Sequence, residues 1–411
     1  MGIVGKVTDK IILGHHLQIE KSLCSRFRTP KSGCSLCADA CPAGAISFPV
    51  SGAEITGECA DCGVCFSVCP NGVFRMSEAN DEEILGEISA AAAGCKPGEA
   101  KTFRISCQWG DGKAGLLVPC IGRLTEGLLV ETVKAGFSKV ELVRPECGAC
   151  RNAKASPHID KMLSLVSALF EMLGIGEEKF EISRIPLQPW SKKADKPVSR
   201  RTVISALGIK VAEVAAAALP EIAPEKGGPE QTFIDAINKR PANVKRMFLM
   251  RALGKFAPVK DVYVPAGEVP VARVEVSPHC CACGVCVTLC PTGALAGTWE
   301  DGRFRLSFKP ALCTHCRVCV ETCMPGTIKI KGMSKLNDLL EGKEINLFEA
   351  RKETCPVCGL DFVRSSTEVR ASENAASALQ DVCALCLDRH KKHMTFMKHI
   401  QNGLKEENGN E

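Results

Sequence analysis

Aromatic residues are scarce in this chain of 411 residues, which has one Tyr, three Trp and 16 Phe. Large rings cannot pack every part of it, so something else must hold some of its segments. Long apolar runs are scarce as well. The N-terminal MGIVGKVTDKIILGHH has no apolar core of signal-peptide length, and the most apolar stretch, Val203 to Leu219, contains Lys210 and Glu213. A spanning segment is therefore not expected. The Ser199-Arg200-Arg201 triplet just before that stretch lies far from the N-terminus, where twin-arginine signals act, and reads as a helix start capped by Ser199. Neither sign of charge dominates: a net charge of +5 with 24% charged residues gives no basis for nucleic-acid binding. Four motifs are missing too: GxGxxG after a strand, GxxxxGK[ST], HExxH and a radical-type CxxxCxxC. Without them no nucleotide, dinucleotide or substrate chemistry can be located.

Cysteine, by contrast, is abundant, with 26 residues. Such a density means either disulfides in a secreted protein or metal ligation in a reducing compartment. The lack of an export signal and the spacing of the cysteines both favour metal. The expected location is accordingly cytoplasmic.

The spacing repeats. Residues 280–325 carry Cys280-x2-Cys283-x2-Cys286-x3-Cys290-Pro291, followed by Cys313-x2-Cys316-x2-Cys319-x3-Cys323, with Pro325 one residue late. Residues 24–70 carry Cys24-x9-Cys34-x2-Cys37-x3-Cys41-Pro42 and then Cys59-x2-Cys62-x2-Cys65-x3-Cys69-Pro70. Three thiolates two residues apart on a tight loop can each reach a different iron of one cubane. The fourth begins the next segment and serves the neighbouring cluster. This crossing predicts four [4Fe-4S] sites: Cys280, Cys283, Cys286 with Cys323; Cys313, Cys316, Cys319 with Cys290; Cys59, Cys62, Cys65 with Cys41; and Cys34, Cys37, Cys69 with Cys24. Gly63 and Gly284 are expected to let backbone amides approach the sulfurs.

Both copies resemble bacterial two-cluster ferredoxins, which implies a fold of two hairpins and two short helices in each. The N-terminal copy departs from that pattern, because Lys31 occupies its usual first ligand position and Cys24 must reach in across the inserted SRFRTPKSG. If Cys24 does not ligate, the site would hold [3Fe-4S] or be labile. Cys281 stands out of register and reads as a free thiol.

Between the copies, TFRISC, GLLVPC and KVELVRPE read as strands, and TEGLLVETVKAGF and SPHIDKMLSLVSALFEMLGI as helices, giving a small α/β unit. Cys107, Cys120, Cys147 and Cys150 follow the strands, at the edge where α/β sheets collect ligands. The runs Cys107-Gln108-Trp109, Pro119-Cys120-Ile121-Gly122-Arg123-Leu124 and Glu146-Cys147-Gly148-Ala149-Cys150 resemble the delta subunit of methyl-viologen-reducing hydrogenases. That resemblance implies a [2Fe-2S] cluster on these four cysteines, passing electrons towards heterodisulfide reductase. The final pair is closer together than in that family, and its first pair is reduced to one. A set of thiols without metal is the alternative, and Cys95 in the AAAAGCKPGEA linker reads as a free thiol. From Lys239 to Lys260, basic residues punctuate Val244, Met247, Phe248 and Arg251, which reads as a core-packing helix with a solvated basic face; docking to an acidic partner or peripheral membrane association is the alternative.

Cys355-x2-Cys358-Gly359 and Cys383-x2-Cys386 form two knuckles suited to a closed site of four cysteines, with zinc favoured over a rubredoxin-like iron. This end resembles a zinc ribbon or treble clef. His390 and His393 read as surface residues.

The expected fold class is α+β and multi-domain. Residues 1–88 form an N-terminal dicluster module, 89–187 an α/β [2Fe-2S] domain and 188–268 a helical linker. Residues 269–340 form the C-terminal dicluster module, 341–404 a zinc module and 405–411 a disordered tail. The expected function is a relay of single electrons between redox protein partners in an anaerobic oxidoreductase complex such as a hydrogenase, formate dehydrogenase or heterodisulfide-reductase-like enzyme. A catalytic iron-sulfur reductase with a substrate-accessible cluster is the alternative.

Overall fold

The computed structural model describes residues 17–49, 52–76, 80–94, 101–111, 114–187, 233–238, 240–254, 256–265, 270–340, 342–365 and 382–407. Cys95, Ser199 and the Val203 to Leu219 stretch lie outside the described residues. The described residues divide into two compact units, those within Met1–Phe27 and Cys34–Ala257 and those within Arg28–Gly33 and Pro258–Glu411.

In the first unit, strand β1 (Leu17–Ile19) precedes a short helix α1 (Leu36–Asp39), a minimal hairpin β2 (Ile46–Ser47) and β3 (Glu54–Ile55), helix α2 (Val64–Val68) and strand β4 (Phe74–Met76). The first strand pairs with the last, antiparallel, with Leu17 opposite Met76 and Ile19 opposite Phe74. Leu17, Leu23, Ala45, Ile46, Phe66, Val73 and Phe74 are buried together with Cys24, Cys37, Cys41 and Cys65. The apolar side chains form a thin shell around the thiols, which is why so few rings suffice. Helix α3 (Asp81–Ala93) follows; the Asn80 side chain caps it by accepting from Glu83 N at 3.1 Å.

Four strands then form a wholly parallel sheet in the order β6-β5-β7-β8: β5 (Thr102–Cys107), β6 (Leu116–Val118), β7 (Lys139–Pro145) and β8 (Phe180–Ile185). Helix α4 (Glu126–Lys134) is capped by Thr125, and α5 (Ser156–Leu173) ends at Gly174 in the left-handed conformation. These elements lie where the apolar periodicity puts them.

Helix α6 (Val244–Leu253) is not a free linker. It lies against α4 at Gly127, where an added Cβ would sit 2.8 Å from Phe248 and 3.0 Å from the backbone of Leu249. The side expected to face the core does so only in part. Val244 and Met247 are exposed, whereas Lys245, Arg246, Phe248, Leu249, Ala252 and Leu253 are buried.

The second unit repeats the strand pairing of the first. Its elements are β9 (Tyr263–Pro265), β10 (Val274–Val276), α7 (Val285–Leu289), β11 (Leu295–Glu300), β12 (Arg303–Phe308), α8 (Val318–Thr322), β13 (Ile328–Ile330) and β14 (Met333–Lys335). Strand β10 pairs with β13, β11 with β12, and β9 with β14. The hairpin does not stop there. Strand β15 (Ile345–Thr354) pairs with β12, and β16 (Asp361–Ser365) with β15, to give one four-stranded sheet. Phe348 and Ala350 of β15 are buried with Phe304, Leu306 and Phe308. The boundary expected at residue 341 therefore cuts through a shared sheet and core. Helix α9 (Ala384–Glu407) carries exposed His390 and His393 and runs to Glu407, three residues into the tail expected to be disordered. The helix formers Leu404 to Glu407 carry it past Gly403, and Asn408-Gly409 follow.

Candidate iron-sulfur and metal centres

All 25 described cysteines are free thiols, and they converge in groups. Burial raises the Cys37 thiol, and so do its neighbours Cys69, Cys34 and Cys24, so these four share one site. Cys24 reaches it from the turn Lys21–Leu23, which Asn71 holds through Nδ2 bonds of 3.0 Å to the Leu23 carbonyl and the Ser25 hydroxyl. Lys31 is exposed. Cys65 is raised by burial and by Cys62, Cys59, Cys37 and Cys41, which makes a second group with a link to the first through Cys37. In the second unit Cys286 is pushed up to about 12 by burial, then by Cys280, Cys283 and Cys323. Cys316, also pushed up to about 12, feels Cys290 and Cys313, and Cys319 feels those three and Cys286.

Backbone amides point at the sulfurs. Ala45 N donates to Cys41 Sγ and Asp61 N to Cys59 Sγ, both at 3.4 Å. At Cys323, burial is outweighed by the Thr327 hydroxyl at 3.3 Å and by the amides of Ile328, Thr327 and Gly326, so that thiol is lowered. Hydrogen bonds of this kind stabilise a negatively charged sulfur.

The loops achieve this with the same backbone conformation in three of the four blocks. Asp61, Ala282 and His315, each just before the second cysteine, have φ of +46, +53 and +58°. Gly63, Gly284 and Arg317, each just after it, have φ of +71, +72 and +64°. Left-handed backbone at a non-glycine residue costs about 1 kcal/mol or more, so its recurrence marks a geometry that the sites demand. Arg317 shows that the demand is for the φ angle. In the block with the insertion, Ser35 takes Gly63's place with φ of −130°.

The middle group forms at one edge of the parallel sheet, because β5 ends at Cys107, and β6 and β7 end just before Cys120 and Cys147. Burial raises Cys107, with Cys147 and Cys150 adding to it, while the Trp109 and Ile121 amides oppose. Cys120 is pushed up to about 12 by burial, and then by Cys62, Cys107 and Cys147. Cys62 belongs to the second group of the N-terminal copy, so two thiol groups of this unit are electrostatic neighbours. Ser106 Oγ braces the loop, accepting from Asp111 N at 2.9 Å and donating to the Val143 carbonyl at 3.2 Å. Arg144 bonds Asp160 at 2.6 Å and Ser156 at 3.3 Å and also acts on Cys147.

In the last group the Sγ atoms of Cys355, Cys358, Cys383 and Cys386 lie within 4.8 Å of one another, close enough for one metal ion. Cys383 N donates to Cys355 Sγ at 3.4 Å. That amide, helped by those of Cys358 and Val357, outweighs burial and draws Cys355 down to about 6. The first pair sits in the β15–β16 hairpin with Gly359 at φ +71°, and the second opens α9.

Each group thus has four converging thiols, and in each at least one is raised by burial or by its neighbours. Thiols in such company stay protonated unless a cation displaces the protons, as iron or zinc does when thiolates bind it. Cys281, exposed and hydrogen-bonded to Cys283, lines the same small cavity as Cys280, Cys283, Cys286 and Cys323.

Residues 279–332 match the model of the 4Fe-4S dicluster domain. The chain contains an iron-sulfur ferredoxin domain. Residues 114–208 match the model of the methyl-viologen-reducing hydrogenase delta subunit, a range that includes Cys120, Cys147 and Cys150 but begins after Cys107. The polyferredoxin protein MvhB of Methanothermobacter marburgensis is 38% identical over 80 residues, covering 16% of this chain. The match spans about a fifth (19%) of that relative's length. Among the described residues no helix is long and apolar enough to cross a membrane.

Sequence reasoning missed the side chains that support these groups. Asn71, Arg123, Arg144 and Lys245 are ordinary polar residues in sequence. Only their burial marks them out, at 3, 1, 8 and 9% exposed.

Proposed function

We propose that this chain is an electron-relay subunit of a multisubunit redox complex of the hydrogenase or heterodisulfide-reductase kind. It would hold four [4Fe-4S] clusters on the eight N-terminal and eight C-terminal cysteines, a [2Fe-2S] cluster on Cys107, Cys120, Cys147 and Cys150, and zinc on the last four. Iron-sulfur clusters supply one-electron carriers whose potentials respond to burial, charge and hydrogen bonds at sulfur. The dicluster-domain match and the hydrogenase-delta match in one chain support this reading, and so does the likeness to a polyferredoxin.

The observation that carries it is the proximity of Cys120 to Cys62, alongside those of Cys65 to Cys37 and Cys319 to Cys286. Adjacent thiol groups make a series of stepping points, as a relay requires and a single-site reductase does not. The chain's own residues exclude water, fix the loops and aim amides at sulfur. A second pair of cysteines on a helix start suits the treble-clef form of the zinc site.

Metal and sulfide analysis of anaerobically purified protein, with EPR of the reduced form, tests the reading. Counting ligands gives roughly 18 Fe and one Zn per chain. A value near eight Fe would remove half of the proposed relay, and a colourless, sulfide-free protein would remove all of it.

A further inference from the structure

Helix α6 buries a lysine. Lys245 is only 9% exposed, and its ammonium donates to the carbonyl of Ser67. Among the described residues no carboxylate pairs with it. A buried cation without a compensating anion is costly, so the negative charge that balances it must lie nearby.

The seating of α6 shows where. Asn243, its N-cap, donates through Nδ2 to the Pro70 carbonyl at 2.9 Å and accepts from Arg246 N at 3.1 Å through Oδ1. Gly72, at φ +70°, makes room for it, since an added Cβ would meet Asn243 Oδ1 at 2.3 Å. Arg75 Nη2 reaches the Ala242 carbonyl at 3.2 Å. The start of α6 is thus clamped onto the segment Ser67 to Arg75, and the thiol in that segment is Cys69. Lys245 acts on that thiol and opposes the effect of its burial, together with the amides of Val73 and Asn71. The same charge acts on His158, which bonds the Ser67 hydroxyl at 2.9 Å.

We propose that Lys245 is the charge-compensating cation of the Cys24, Cys34, Cys37 and Cys69 site and favours the reduced form of the cluster held there. The inference rests on the reading of these four cysteines as cluster ligands. A four-thiolate cluster is negatively charged in either oxidation state and gains one further negative charge on reduction, so a fixed cation stabilises the reduced form more. One charge at about 10 Å, in an effective dielectric of about 20, is worth on the order of tenfold in that equilibrium. The cation comes from a helix far away in sequence, 178 positions beyond Ser67, so docking of α6 and tuning of the site are one event.

The test is redox titration of the full chain, followed by EPR, on wild type, Lys245→Gln and Lys245→Arg, with iron analysis of each. Gln keeps an N–H donor for the Ser67 carbonyl and loses the charge. The expected result is a single N-terminal cluster whose reduced-to-oxidised ratio at fixed potential falls about tenfold in the Gln variant, with the Arg variant close to wild type. Full iron content with every midpoint unmoved in Lys245→Gln, or an equal shift in Lys245→Arg, would overturn the proposal. If Lys245→Gln loses iron, the proposal requires Arg to restore it and Met to fail; restoration by Met would overturn it. Absence of cluster signals from the wild type would instead sink the ligand reading itself.

Discussion

Gly63 and Gly284 occupy equivalent loop positions with φ of +71 and +72°, yet their surroundings differ. An added Cβ at Gly63 would lie 2.4 Å from Arg123 Cγ and 3.1 Å from its Cβ, whereas at Gly284 nothing lies within 4 Å. Gly284→Ala should therefore cost only the backbone term, about 1 kcal/mol, and Gly63→Ala about 3 kcal/mol, because the Arg123 stem cannot swing away. Denaturant unfolding of the two variants at matched iron content measures the gap. The same Arg123 forms a buried pair with Asp81 at 2.5 Å, and Asp81 also accepts from Thr125 Oγ1 at 2.5 Å. Breaking that pair with Asp81→Asn should destabilise by about 3 kcal/mol or more. The double variant Asp81→Leu with Arg123→Met should cost less than Arg123→Met alone, which strands the buried carboxylate.

His158 sits between Ser67 Oγ, at 2.9 Å, and the Gly122 segment. Burial, with Lys245 adding to it, depresses it from 6.5 to about 4. The folded state holds the ring neutral while the unfolded chain takes up a proton below about 6.5. The stability it contributes is therefore present above that pH and is lost as pH falls towards 4, by about 3 kcal/mol in all. Thermal unfolding between pH 7.5 and 5 should show a shallower loss in His158→Gln than in wild type. Equal slopes would contradict the assignment.

At the scale of elements, strands and helices with clean periodicity were legible in sequence: β5, β7, α4 and α5 lie where apolar alternation and spacing put them. Helix α6 was legible as a helix but not as a face. Val244 and Met247 of its apolar stripe point outward, while Lys245 and Arg246 go inward, because the tight crossing at Gly127 and the bond of Lys245 to the Ser67 carbonyl decide its rotation. Strand β15 was assigned to the wrong neighbour for a similar reason. Cysteine spacing groups residues 355–386 together, but Phe348 and Ala350 pack into the core of the preceding module. Two variants separate these levels. Cys355→Ser should release zinc and leave iron content unchanged, whereas truncation before Glu344 should lower iron as well, since it uncovers Leu306 and Phe304. Paired zinc and iron assays decide between them.

At the scale of the whole molecule, the placement of the middle thiol group beside Cys62 gives the proposed relay a definite neighbour relation. In the fully reduced protein, paramagnetic centres on the Cys120 and Cys62 sites should broaden one another's EPR signals. Cys147→Ser combined with Cys150→Ser should remove the middle centre and narrow the signal of the Cys41, Cys59, Cys62 and Cys65 cluster alone. Unchanged line shapes would place the two centres too far apart to interact.

Sequence alone determined which cysteines gather into groups, because two-residue spacing on a tight loop turns successive thiols towards one point. It also determined the alternation of strand and helix in the middle, which apolar periodicity dictates locally. Tertiary structure decided what lies between the groups. It set Cys120 beside Cys62, inserted Arg123 against Gly63, turned Lys245 inward onto the Cys69 loop and joined β15 to β12. Those outcomes depend on charge balance and close approach between segments far apart in the chain, which no local spacing encodes.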